Sequence, residues 1–131
     1  MVTKATPDKS SHKEIIDSNA RQGMTFEPVF CPADAKDPYS TKEWETRSAR
    51  IQDEAGNTLF EQKDCLVPKD WSALAVNVVV SKYFYGEKGK EERETSIRQL
   101  IDRVAGTIAD WGAEDGYFAT PEDGERFYRD L

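Results

Sequence analysis

The chain has 131 residues, enough for one domain with a single modest core and too few for two ordinary ones. With 18 Lys and Arg against 25 Asp and Glu its formal charge is -7, so its surface is not built to neutralise phosphates and nucleic acid is excluded as a main partner. No apolar stretch approaches the roughly 20 residues of a membrane helix and there is no signal-peptide core, which points to a cytoplasmic protein with no membrane partner.

Residues 1–25 are expected to form a flexible tail. They are polar, rich in Ser, Lys and Asp and interrupted by the Ile15-Ile16 pair, a composition that buries too little apolar area to offset the entropy of ordering. Residues 26–131 are then a single domain. Pro28, Pro32 and Pro38 bias their predecessors toward extended geometry, so 26–39 reads as an irregular strap over the surface. Residues 44–52 show a period-2 pattern, 53–57 (D-E-A-G-N) supply turn chemistry, and 58–67 is again extended; the pair predicts a β-hairpin that must pack on helices to be stable.

A first helix is predicted from 69 or 70 to 85. Trp71, Leu74, Ala75, Val78 and Val79 form one stripe, and Val76, Val80, Tyr83 and Phe84 make much of the remaining surface apolar too. Residues 86–94 read as a charged, solvated loop. A second helix over 96–111 places Ile97, Leu100, Ile101, Val104, Ala105, Ile108 and Trp111 on one face, with Ser96 and Gln99 at capping-box spacing and Gly112 as its stop. Glu114-Asp115-Gly116 turns the chain and would bury Tyr117 and Phe118 if tight. Thr120-Pro121-Glu122-Asp123 then starts a third helix, whose stripe of Phe127, Tyr128 and Leu131 runs to the last residue. The predicted fold class is α+β, mainly helical: an extended hairpin followed by about three amphipathic helices, with an irregular or disordered N-terminal tail.

Chemistry-bearing patterns are few. Cys31 and Cys65 lack metal-ligand spacing and have only His12 as a further soft ligand, so no zinc site is expected, and both thiols read as free and structural. The 86–90 stretch G-E-K-G-K fails the phosphate-loop spacing, and the acids Glu91, Glu92 and Glu94 sit among Lys90 and Arg93 as surface ion pairs. His12 in the tail is no hydrolase base. Glu114 and Asp115 read as turn and cap residues, and Tyr83, Phe84, Tyr85, Tyr117 and Phe118 as core or interface rather than a base-stacking platform, which would need a basic groove.

Four blocks carry a resemblance: P-K-D-W-S-x-L-A at 68–75, S-K-Y-F-Y-G at 81–86, S-I-R-Q-L-I-D-R-V at 96–104 and W-G-x-E-D-G-Y-F at 111–118. D-P-Y at 37–39 and W-E-T-R at 44–47 extend it upstream. In identity, order and spacing they resemble the N-terminal segment of bacterial adenosylcobalamin-dependent, class II ribonucleotide reductase, over residues 37–131. The resemblance implies an enzyme that makes deoxyribonucleotides from ribonucleoside diphosphates through a cobalamin-initiated cysteine thiyl radical. It places the reacting cysteines and their Asn-x-Cys-x-Glu motif on a catalytic α/β barrel beyond Leu131, with the cobalamin and allosteric sites. That motif is absent here, as is the Val-x-Lys-Arg-Asp-Gly signature of an ATP-cone.

Catalytic, cofactor-binding and metal residues are therefore all expected to be none in this chain. The segment is expected to be an accessory domain, truncated before the barrel, that meets nucleotide substrates only through it. Val76, Val80 and Tyr83 are the candidate interface with the barrel, if that side of the first helix does not pack on the hairpin instead. A stand-alone acidic binding or regulatory module derived from this domain is the alternative.

Overall fold

The computed structural model describes residues 23–35 and 37–131; the tail expected at 1–25 falls, for its first 22 residues, outside the described residues. Strands β1 (Trp44–Gln52) and β2 (Thr58–Pro68) form an antiparallel two-stranded sheet. The turn between them is tied by Asp53, whose carboxylate accepts from the Asn57 backbone N–H at 2.8 Å and from its side-chain amide at 2.9 Å.

The period-2 pattern of β2 changes phase in mid-strand. Phe60 and Gln62 point toward the helices before the change, Cys65 and Val67 after it, and a strict alternation cannot serve both sets. The pairing shows how this is resolved. Arg47 faces Cys65 and Ala49 faces Gln62, so β2 spends one more residue than β1, and Asp64 sits at φ 57 in the bulge. The bulge returns Cys65 and Val67 to the core.

Three helices follow: α1 (Ala73–Lys82), α2 (Ile97–Glu114) and α3 (Pro121–Asp130). Residues 38–41 add a short 3-10 turn. Helix makes up about 39% and strand 21%, so the fold is α+β but not mainly helical, and the expectation of a mainly helical domain is corrected. The difference lies largely in α1, which is shorter at both ends than the apolar pattern suggests. β2 runs on through Pro68, and the helix starts only where the Ser72 hydroxyl accepts the Ala75 N–H at 3.1 Å. At the other end Tyr83 is the C-cap, and the carbonyls beyond are captured by a side chain described below.

α1 and the start of α2 pack on one face of the hairpin. Ala49, Cys65, Val67, Val76, Val80, Phe84 and Ile97 form the buried cluster, flanked by Trp44, Phe60, Trp71, Val79 and Leu100. A smaller aromatic cluster joins α2, α3 and the strap: the Phe127 ring lies 5.2 Å from Phe118 and 5.4 Å, edge-on, from Phe26. Of the aromatic pair after the turn, Phe118 is half-buried and Tyr117 stays exposed.

Gly112 does not end α2, which continues to Glu114. Its role is space. A Cβ there would lie 2.8 Å from the Phe118 ring, and one at Gly124 would lie 3.2 Å from it, so the two glycines form the slot that ring occupies. Gly112→Val is accordingly expected to destabilise the domain by about 1–3 kcal/mol, the cost of overpacking, despite the better helix propensity of valine over glycine. Urea unfolding measures it; an unchanged or higher midpoint would show that the ring can leave its slot freely.

Candidate functional site

The three residues expected at an interface do not share a surface. Val76 is 1% and Val80 0% exposed, both inside the cluster against the hairpin, whereas Tyr83 is 61% exposed. The structure thus gives the Val76 and Val80 side of α1 to the internal core, because the face opposite the hairpin carries Leu74 and Val78 instead. Tyr83 alone of the three can touch another molecule.

The charged stretch before α2 is exposed over 87–92 as expected of a solvated loop, but its last two residues, Arg93 and Glu94, are not. Arg93 donates from Nη2 to the Val80 carbonyl at 2.7 Å, from Nη1 to Phe84 at 2.6 Å and Gly86 at 2.9 Å, and from Nε to Gln62 Oε1 at 2.9 Å. One cation thereby satisfies the open carbonyls at and beyond the end of α1 and pins them to β2. Its neighbour Glu94 is buried, accepts the Tyr85 N–H at 2.7 Å and pairs with Arg103 at 2.8 Å. Burial pushes its carboxyl up, but the Arg103 guanidinium and the Tyr85 N–H outweigh burial and hold it below the usual range. Cys65 lies in the same core, and burial pushes its thiol up, as suits an inert structural cysteine.

On the other side of α2 the strap is held by carboxylates of α3. Asp123, at the third position of that helix, closes a capping box with Thr120 and also accepts the Phe26 N–H at 2.9 Å and Arg126 Nη2 at 2.6 Å. The Phe26 N–H first, then Thr120 and Arg126, lower its pKa to about 2. A carboxyl depressed in the folded state adds stability that is complete above its unfolded value of about 3.9 and is lost as pH falls through its folded value. The gap in Tm between wild type and Asp123→Asn should therefore stay constant from pH 7 to about 4 and close below that. A gap that closes already between pH 7 and 5 would show that Asp123 is not held as described.

Further along, Asp130 accepts the N–H groups of Val29 at 3.1 Å, Phe30 at 2.6 Å and Cys31 at 2.7 Å. The Cys31 N–H above all, and then those of Val29 and Phe30, hold its carboxyl below the usual range against burial. Asp102 on α2 accepts two phenols, Tyr39 at 2.6 Å and Tyr128 at 2.9 Å, and Arg98 lies 4.5 Å over the Tyr39 ring while pairing with Asp37 at 3.3 Å. Burial and then the Asp102 carboxylate push both phenols up.

These groups border a groove of about 780 Å³ between strap, α2 and α3, into which Phe30, Ile101, Ala105 and Leu131 also face. A second, more apolar groove of about 520 Å³ lies at the far end of α2, lined by Met24, Phe26, Ile108, Trp111 and Phe118 among others. Met24 reaches it by pairing with the loop before α3, donating to the Tyr117 carbonyl at 2.7 Å. Ile101 in the first groove, Ile108 and Trp111 in the second, and Val104 leave the α2 stripe partly open to solvent. Sequence reasoning put this stripe on one face of the helix without deciding what covers it, and it missed Tyr39, Asp102, Tyr128 and Asp130. Those four come from three segments far apart in the chain, with no local pattern to mark them.

Among the described residues no three His, Cys, Asp or Glu side chains converge as a metal site requires, and no helix is long and apolar enough to cross a membrane. What the arrangement offers is apolar surface on a well-tied scaffold. Comparison with known proteins gives that scaffold a family. The N-terminal family profile described as class II vitamin B12-dependent ribonucleotide reductase matches residues 45–131. The vitamin B12-dependent ribonucleotide reductase of Rhodopirellula baltica is 65% identical over 112 residues, which are 85% of this chain and 11% of that protein. Those of Streptomyces coelicolor and Streptomyces avermitilis are 37% identical over 98% of the chain and 43% over 72%, covering 13% and 10% of those proteins. The chain spans about an eighth or less of the length of these relatives. With the family profile running from β1 through α3, the chain belongs to the class II vitamin B12-dependent ribonucleotide reductases, as their N-terminal domain.

Proposed function

We propose that this domain, residues 26–131, is a structural accessory module of a cytoplasmic adenosylcobalamin-dependent ribonucleoside-diphosphate reductase, that it packs against the catalytic barrel of the same polypeptide, and that it contributes no reacting group. The observation that carries the reading is the open α2 stripe of Ile101, Val104, Ile108 and Trp111, continuous with a core that covers only its first turns. Apolar surface of this kind on a soluble domain marks a contact with another module. Tyr83 and Leu74 extend the apolar surface on α1.

Neither groove fits adenosylcobalamin. At about 780 and 520 Å³ they have the size of sites for drug-sized ligands, and a corrinoid carrying its nucleotide and adenosyl groups is larger. The cofactor and the ribonucleotide substrates are assigned to the barrel. The test has two arms. The pure 131-residue chain, supplied with adenosylcobalamin and a dithiol, should make no deoxyribonucleotide, and co-expression with the remainder of the enzyme should yield a complex that survives purification. Product from the chain alone overturns the non-catalytic role; failure to associate overturns the packing role.

A further inference from the structure

The strap turns outward at Val29 and Phe30, and Phe30 is 85% exposed, the most open large apolar side chain among the described residues. Its backbone is not loose. Three consecutive N–H groups, those of Val29, Phe30 and Cys31, converge on the Asp130 carboxylate. That is the concave donor arrangement that holds anions elsewhere, here filled by a side chain. Asp130 closes α3, at the negative end of the helix dipole where a carboxylate is disfavoured, and the converging N–H groups offset that position. An aromatic side chain held out on an ordered backbone loses little entropy when it is covered, which is the profile of an interface anchor.

Beside Phe30 lies the larger groove. Ile101 and Ala105 give it an apolar wall, and Leu131 stands in its lining, so a polypeptide continuing from α3 leaves the domain there. The relatives are far longer than this chain, which matches 11% and 13% of two of them. We propose that the groove between strap, α2 and α3 is the seat of the polypeptide that follows α3 in the full-length enzyme, with Phe30 as the anchor it packs against. The inference rests on the reading that the domain packs on the body of the enzyme, and it names where that contact begins. A directly connected segment meets the groove at an effective concentration on the order of millimolar, so few contacts suffice to keep it seated. Asp37, Asp102, Glu125 and Asp130 outnumber Arg98 and Arg129 around the groove, and Arg98 is taken by Asp37. The rim therefore suits a segment whose apolar side chain is flanked by Lys or Arg.

Cys31 opens onto the same groove and reports on it. Its labelling by N-ethylmaleimide, followed by peptide mass mapping, should be at least about tenfold slower in the intact enzyme than in the 131-residue chain. Phe30→Ala should return the rate in the intact enzyme to that of the chain alone, and it should leave the Tm of the chain within a few degrees because the side chain is exposed. Hydroxyl-radical oxidation of Trp111 in the same samples reads the α2 face. If Trp111 is protected but Cys31 labels equally fast in both proteins, the groove inference fails and the packing reading stands. If both residues stay open in the intact enzyme, both fail. Cys31 protection that grows with enzyme concentration would give the groove to a second copy, and protection unchanged by Phe30→Ala would remove the anchor; either result overturns the proposal.

Discussion

Val80→Asp should unfold this domain. Val80 is fully buried between α1 and the hairpin, packed with Val76, Phe84, Cys65 and Val67, of which only Cys65 carries a donor, a weak thiol, while the nearby Arg93 guanidinium is already committed to four acceptors. The aspartate must either stay charged in an apolar core or take up a proton and still lack good partners for its O–H and carbonyl, a cost of about 4 kcal/mol or more that rivals the whole stability of a small domain. Val80→Ala, which only leaves a gap, should cost about 2 kcal/mol and serves as the control for packing alone. Tyr83→Asp, one turn on but exposed, should stay within roughly 0.5 kcal/mol of wild type. Circular dichroism with urea titration orders the three. Of the two alternatives the sequence left open for this face, the hairpin and the barrel, the barrel gives a different result: a folded Val80→Asp domain impaired mainly in assembly. That outcome would require α1 to be rotated about its axis relative to the structure.

Arg93→Met should cost about 3 kcal/mol, which at this size lowers Tm on the order of 15 °C. Methionine keeps most of the length and the contact with Phe84, over whose ring the guanidinium lies at 5.7 Å, but has no donor. The carbonyls of Val80, Phe84 and Gly86 then lose their partner together, as does Gln62 Oε1. Leaving several part-buried acceptors open is worse than losing a surface ion pair, which is worth at most about 1 kcal/mol. Arg93→Lys should recover only part of the loss, because one ammonium cannot replace the planar fork that reaches both sides of the α1 end. A Tm for Arg93→Met within about 3 °C of wild type would return Arg93 to the class of solvated loop charges.

The elements most legible in the sequence are those whose signals are local. Ser96 and Gln99 mark the start of α2, and Thr120 with Pro121 marks α3, because each cap is closed by atoms three residues apart or fewer. The hairpin is legible for the same reason: Asp53, Gly56 and Asn57 bond among themselves. The spacing of Cys31 and Cys65 suggested free thiols, and both are free, Cys65 buried and Cys31 half-buried.

The end of α1 was not legible, since Arg93, the side chain that takes up its carbonyls, lies 7 to 13 positions away and looks like part of a charged loop. Gly112 was misread as a stop, because a glycine needed for space and one needed for its dihedral angles look alike in sequence. Only the Phe118 ring tells them apart.

By itself the sequence determined the family, the order of the elements, the caps of α2 and α3 and the acidic surface, because these follow from short patterns and composition. Which apolar face is used up internally was decided only by the tertiary structure. α1 is apolar nearly all round and α2 along a stripe, and periodicity cannot say which of two apolar faces meets the hairpin. The bulge at Asp64 turns Cys65 and Val67 toward the core, where Val76 and Val80 meet them, and Ile101, Val104, Ile108 and Trp111 lie outside that cluster. Burial is a property of the assembled surfaces, so the open face of this domain became visible only once its own core had been filled.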